Sequence, residues 1–176
     1  HEQLTVENVK GTYLYTGSEV YNQADVGTWQ GVTVNAKYWL DANESLGMKK
    51  PEEEKLTSYM KENTIGLILG DLEWTEFSGL YVDGCKIGVQ ITYGKRIQFA
   101  GSMFDVSITD CSLGIDVVEL DARWGMVIAN SVIEGGINNA TDGLIKLCGV
   151  TVSGDMNGNV EAYNDDTSGI KLDYTR

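Results

Sequence analysis

Three carboxylates, a guanidinium and an indole crowd into one short stretch, Asp116-Val-Val-Glu119-Leu-Asp121-Ala-Arg123-Trp124-Gly125. Carboxyl groups at such a spot can serve as acid and base, and the flat face of an indole can support a sugar ring. Asp116, Glu119 and Asp121 are therefore the candidate catalytic residues, with Arg123 and Trp124 beside them as binding groups. A plainer alternative is that Asp121 and Arg123 form a surface ion pair while Trp124 packs on neighbouring structure. A second stretch, Gly70-Asp71-Leu-Glu73-Trp74-Thr-Glu76-Phe77, repeats the combination of acids and an aromatic. Gln90, Tyr93, Lys95 and Arg96 lie between the two. The candidate substrate-binding set is thus Trp74, Gln90, Tyr93, Arg96, Arg123 and Trp124.

What must position these groups is a repeat. Ile65-Gly66-Leu67-Ile68-Leu69, Ile87-Gly88-Val89-Gln90-Ile91 and Leu113-Gly114-Ile115-Asp116-Val117 share one phrase, read as a glycine turn followed by a short alternating strand. Recurrence at such a period predicts the coils of a parallel β-solenoid. A second series runs beside it: Leu80 to Ile87, Val106 to Leu113 and Met126 to Ile133 align without a gap. Looser copies at Leu4 to Val9, at Val32 to Asn35 and at Ile145 to Cys148 bring the count to about six coils. The alignment places Cys85, Cys111 and Ser131 in one small-residue column, and Asn8, Asp110 and Asn130 in the turn position before it. It also stacks Ile68, Gln90 and Asp116 in one outward column, about 4.8 Å apart from coil to coil. Only one of those three is acidic. Two-carboxylate glycoside hydrolysis needs a pair about 5–5.5 Å apart, or about 6.5–9.5 Å apart for inversion, so a second acid must come from elsewhere, either the corner that follows Asp116 or beyond the ends of this chain.

The fold class expected is all-β: a single right-handed parallel β-helix spanning residues 1–176. Residues 51–62 break the pattern, because Pro51, the acids after it, and Leu56, Tyr59 and Met60 on one face predict a short amphipathic helix inserted between coils. The chain begins in a strand and ends in a polar, glycine-rich tail. Exposed coil ends invite pairing, so the remainder of a longer β-helix or a partner chain is expected to complete the stack.

Charge narrows the partners. The 176 residues carry 26 acidic and 13 basic side chains, a net charge of −13, which repels nucleic acid phosphates and anionic membranes. No apolar run is long enough to span a bilayer, so membrane insertion is not expected. Cys85, Cys111 and Cys148 show no metal-like spacing and read as structural thiols. Asn139-Ala-Thr141 and Asn43-Glu-Ser45 match the short glycosylation pattern. Asp25 reads as a turn residue, and the lone His1 as incidental.

Several further phrases carry a family likeness: Gly11-Thr12-Tyr-Leu-Tyr-Thr16-Gly17, Asp25-Val-Gly27, Tyr38-Trp39, and Gly66-Leu-Ile-Leu-Gly70-Asp71 with Trp74. In this order they resemble the pectate-lyase-like right-handed β-helix proteins of bacterial carbohydrate degradation, most of all the lacto-N-biosidase type, glycoside hydrolase family 136. The resemblance implies a secreted or surface-attached enzyme acting on an oligosaccharide or polysaccharide, with two aspartates as acid and nucleophile and no metal or other cofactor. No position of this chain is matched to that pair. A polysaccharide lyase is the first alternative, with Arg or Lys as base and calcium as the cation that would neutralise a uronate. A non-catalytic glycan-binding or structural β-helix of the tailspike or adhesin type is the second.

Overall fold

A computed structural model describes residues 3–23, 25–95 and 97–163; His1 and Arg96 lie outside the described residues, as does the side chain of Asn43. The chain is mostly strand and forms three parallel sheets stacked in register, as a parallel β-helix does. Sheet A holds seven strands: Thr5–Glu7, Gly27–Gln30, Glu73–Ser78, Ala100–Phe104, Met126–Ala129, Ile145–Cys148 and Val160–Tyr163. Sheet B holds six: Lys10–Gly11, Thr33–Val34, Tyr81–Asp83, Ser107–Thr109, Val132–Glu134 and Thr151–Ser153. Sheet C holds six: Thr16–Val20, Ile65–Leu69, Ile87–Ile91, Leu113–Val117, Ile137–Asn139 and Met156–Asn157. The chain visits A, B and C in that order again and again, so each strand pairs with the one a full circuit away.

Alternation within these strands builds the core. Trp29, Phe77, Met103, Ile128 and Leu147 are in register along the inner face of sheet A. Val34, Val82, Ile108 and Ile133 do the same on sheet B, and Leu67, Val89, Ile115 and Ile137 on sheet C. All of these are buried. Each such side chain is worth about 1.5–3 kcal/mol of burial. Phe77 sits between Trp29 and Phe99, with ring centroids 6.0 and 6.3 Å apart.

The glycine of the repeated phrase is not a turn. Gly66, Gly88 and Gly114 lie one residue inside their sheet C strands and stack on one another. A Cβ on Gly88 would stand 2.6 Å from the Gly114 carbonyl oxygen and 2.5 Å from Ile108 Cγ2; one on Gly66 would meet the Gly88 oxygen and Val82 Cγ1, each at 2.6 Å. Glycine recurs because adjacent circuits approach too closely for any side chain.

The turns are made elsewhere. Among the described residues every link from sheet A to sheet B is a pair: Asn8-Val9, Gly31-Val32, Gly79-Leu80, Asp105-Val106, Asn130-Ser131 and Gly149-Val150. The first of each pair has φ from 50° to 66°: Asn8, Gly31, Gly79, Asp105, Asn130 and Gly149 all bend the chain in the left-handed region, where Gly, Asn and Asp are tolerated. From the second circuit on, the residue that follows is buried.

This overturns one expected alignment. Met126 to Ile133 runs from sheet A to sheet B, whereas Leu80 to Ile87 and Val106 to Leu113 run from B to C. Ser131 therefore stacks on Val106, whose amide donates to Ser131 Oγ at 3.0 Å, and not on the cysteines. Likewise Asn8 and Asn130 share a column that Asp110 does not. The shared sequence syntax is local: Cys85, Cys111 and Ser131 each donate to the carbonyl two residues back, at 3.7, 3.3 and 2.7 Å. The contact with the Cys111 sulfur, followed by burial, pushes the Cys85 thiol well above its ordinary value, which suits a structural thiol.

Two helices occupy one link from sheet B to sheet C, where a single one is expected: α1, Lys37–Ser45, and α2, Glu53–Asn63. α2 starts two residues after Pro51 and buries Leu56 and Met60, while Tyr59 stays exposed. α1 carries no acid in its first turn and no base in its last. Its first amides are met from two sides: Lys37 N–H donates to the nearby Asn35 Oδ1 at 3.0 Å, and Trp39 N–H to Thr12 Oγ1, from another circuit, at 2.8 Å. Thr12 in turn donates to the Asn35 carbonyl at 2.7 Å.

Candidate functional site at the corner between sheets C and A

Links from sheet C back to sheet A vary in length and carry most of the candidate residues. In the strand Glu73–Ser78, Glu73 pairs with Ala100 and Thr75 with Gly101, so Trp74 is an unpaired bulge residue. Its φ is 55°, a costly backbone for a bulky side chain, and the bulge turns the indole outward. There it meets Trp124 edge-on, with ring centroids 4.8 Å apart and planes at 64°. The two rings are 46% and 59% exposed, unusual for tryptophan and far from core packing.

The pair flanks a cleft of about 350 Å³ on the outer face of sheet A. Glu76, Ser102 and Val127, in register on successive strands, lie along it, with Phe104 alongside. The two stretches singled out for their acids and aromatics are thus neighbours, as their matching positions after sheet C strands imply.

Asp121 holds this arrangement in place. It is 7% exposed, and its Oδ1 accepts the backbone N–H of Arg123 at 2.8 Å and of Trp124 at 3.3 Å. Arg123 Nη2 donates to Oδ2 at 2.9 Å and Nε to Oδ1 at 3.3 Å. The Arg123 guanidinium holds the carboxyl below the usual range; burial opposes this, and the two backbone donors reinforce it. A carboxylate so engaged fixes the turn that presents Trp124, and it is poorly suited to taking up and holding a proton as a catalytic acid or base.

Asp116 lies on sheet C, in the outward column the repeat implies: Ile68, Gln90, Asp116 and Asn138 are in register. Its two oxygens accept from Gln90 Nε2 at 3.0 Å and from Asn138 Nδ2 at 2.9 Å. Its column neighbours are amides, so it has no second carboxylate beside it in the ladder. Glu119 lines a different, more polar cleft of about 270 Å³ with Tyr93, Gln98, Thr141 and Asp142. Ala122 lines that cleft and Trp124 the other, so the Asp121 turn separates the two.

Asp71 is buried and accepts the backbone N–H groups of Lys95 and, at 3.2 Å, Ile97, anchoring the loop that carries Tyr93. Asn139 is buried too; its amide donates to the Gly143 and Asn159 carbonyls at 2.7 and 3.0 Å, which leaves the folded chain no free acceptor at that glycosylation pattern. Ser102, Asn138 and Asp142 were not singled out from sequence. Asn138 sits one residue into a strand whose preceding corner is only Gly135-Gly136, and that shortening hides its register with Asp116. Among the described residues no three His, Cys, Asp or Glu side chains are grouped to hold a metal ion. Among them also, no helix is long and apolar enough to cross a membrane. No protein-family model, no curated protein and no solved structure matches this chain.

Proposed function

We propose that this chain is a carbohydrate-recognising protein that binds a neutral or lightly charged glycan in the cleft beside Trp74 and Trp124. The observation that carries this reading is the exposed tryptophan pair, held on a strained bulge at one side and on the Asp121 turn at the other. Indole faces are electron-rich and attract the C–H face of a pyranose, while Glu76 and Ser102 offer acceptors and a donor for its hydroxyls. A nucleobase could also stack there, but the net charge of −13 opposes its phosphates. The scaffold we infer is a right-handed β-helix of about six coils, since parallel strands joined by crossover links are right-handed in nearly all proteins. An extracellular setting, where such glycans are met, goes with this reading.

Glycoside hydrolysis is the second reading, and one observation favours it. Glu119 and Asp142 line the same cleft from successive circuits, beside Tyr93. Circuits spaced about 4.8 Å apart can bring two carboxyl groups to the separation a glycosidase requires. Asp116, tied to two amides, would then serve to shape the outer face of sheet C.

Two measurements separate these readings. On an array of neutral oligosaccharides, the Trp74→Ala/Trp124→Ala double variant is expected to lose about tenfold or more in affinity. Unchanged binding would sink the recognition site. The chain is then incubated with lacto-N-tetraose and with pectate, alongside Glu119→Gln and Asp142→Asn. Turnover abolished by both substitutions supports hydrolysis at the second cleft; turnover that survives both rejects that acid pair.

A further inference from the structure

We infer that the helical insertion carries a second binding site, for a small organic anion with an apolar body such as an aryl or acyl carboxylate. A cavity of about 500 Å³ opens where α1 and α2 meet the link between Lys10–Gly11 and Thr16–Val20. This is a corner between sheets B and C, on a different edge of the solenoid from the tryptophan cleft. Its size is that of small-molecule sites generally.

The lining has two parts. Leu14, Trp39, Leu56 and Tyr59 form an apolar wall with two aromatic rings, and Lys49, Lys50 and Lys55 stand at its edge. In a chain of net charge −13, three of the 13 basic residues gather around this one cavity. Glu52 is the single acid among the lining residues, and it is spent on Lys55 at 2.8 Å. Lys49 and Lys50 form no ion pair with any described residue, although Lys50 also borders a neighbouring cleft with Asp41, Glu53 and Asp83. Two unpaired ammonium groups beside an aromatic wall match a ligand with a ring or short chain at one end and a carboxylate at the other. Lysine supplies a point charge on a flexible stem, so the head group is selected by charge and the body by fit.

The test compares 1-naphthoate with its neutral counterpart 1-naphthylmethanol by calorimetric titration of the full chain. Naphthoate is expected to bind at least about fivefold tighter, an advantage that shrinks in high salt. Lys49→Ala/Lys50→Ala, both exposed and outside the helices, should bring naphthoate down to the alcohol's affinity without changing the melting temperature. Tyr59→Ala should weaken both compounds, and Trp124→Ala should weaken neither. Equal affinity for the two compounds, no saturable binding of either, or a preference that survives the double lysine variant overturns the proposal; equal affinity would mark the cavity as an apolar docking face instead.

Discussion

The corner between sheets A and B and the corner between sheets C and A do the same geometric job with opposite regularity. The first uses a two-residue link six times, always with a left-handed residue leading. The second changes length from circuit to circuit, stores a strained Trp74 at φ 55°, and buries an ionised Asp121 to hold its turn. A uniform corner lets every circuit stack with the same hydrogen bonds, which is what stability requires. A variable corner gives up that economy and gains places where indoles and carboxylates can project.

This contrast predicts that damage to the repeating parts unfolds the chain, while damage to the variable corner mainly costs binding. The largest effect should come from Gly88→Ala, whose Cβ would collide with the Gly114 carbonyl and Ile108. Overpacking of this kind costs about 1–3 kcal/mol, seen as a drop of several degrees in the thermal midpoint. A midpoint unchanged by this variant would mean that the circuits are not so closely stacked. Next comes Asn130→Val in the uniform corner, where a β-branched residue at φ 50° should cost about 1–2 kcal/mol in a urea titration, whereas Asn130→Gly should be close to neutral. If valine is tolerated as well as glycine, the uniform corner is not conformationally selected.

Within the variable corner, Asp121→Ala leaves two backbone donors and Arg123 without their acceptor, for about 1–2 kcal/mol at neutral pH. The Asp121 carboxyl titrates lower in the folded chain than in the unfolded one, so its contribution is complete above the unfolded value of about 4 and fades as the pH falls through the folded value. Melting curves of the two proteins should therefore converge on acidification below about pH 4; a constant gap would show that the contribution is not ionic. The smallest change in stability should follow Trp74→Asn. Asparagine relieves the left-handed strain but gives up the ring contact, for a net change below about 1 kcal/mol, while glycan affinity drops. A large loss of stability here would make Trp74 a packing residue.

Much of the scaffold was legible in advance because its signals are local. The alternation of Val89 and Ile115 with Gln90 and Asp116 reads directly as half-buried strands, and the stacking of Gln90 on Asp116 followed from aligning the copies. The role of the repeated glycine was misread because a glycine that turns the chain and one that makes room for a neighbouring circuit look alike in a sequence. Ser131 was placed in the wrong column for the same kind of reason: the two corners share one syntax of bend, small residue and return. α1 is harder to read because its first turn holds no acid and its last no base, and one of its two N-terminal acceptors, Thr12, comes from a different circuit.

The candidate site was legible as composition and not as geometry. Trp74 and Trp124 could be named, and their adjacency argued, but nothing local announces a bulge that pushes Trp74 outward; the Asp121–Arg123 pair, two residues apart, is by contrast the plainer alternative that the sequence itself offers, and the structure forms it at 2.9 Å. The amino-acid order alone determined the period, the identity of the inward-facing residues and the acidic surface, because alternation and charge are properties of neighbours along the chain. Only the tertiary structure decided which circuits stand in contact. In a solenoid the hydrogen bonds between strands are made a full circuit away and the Trp74–Trp124 contact two circuits away, so small differences in corner length reset these partners.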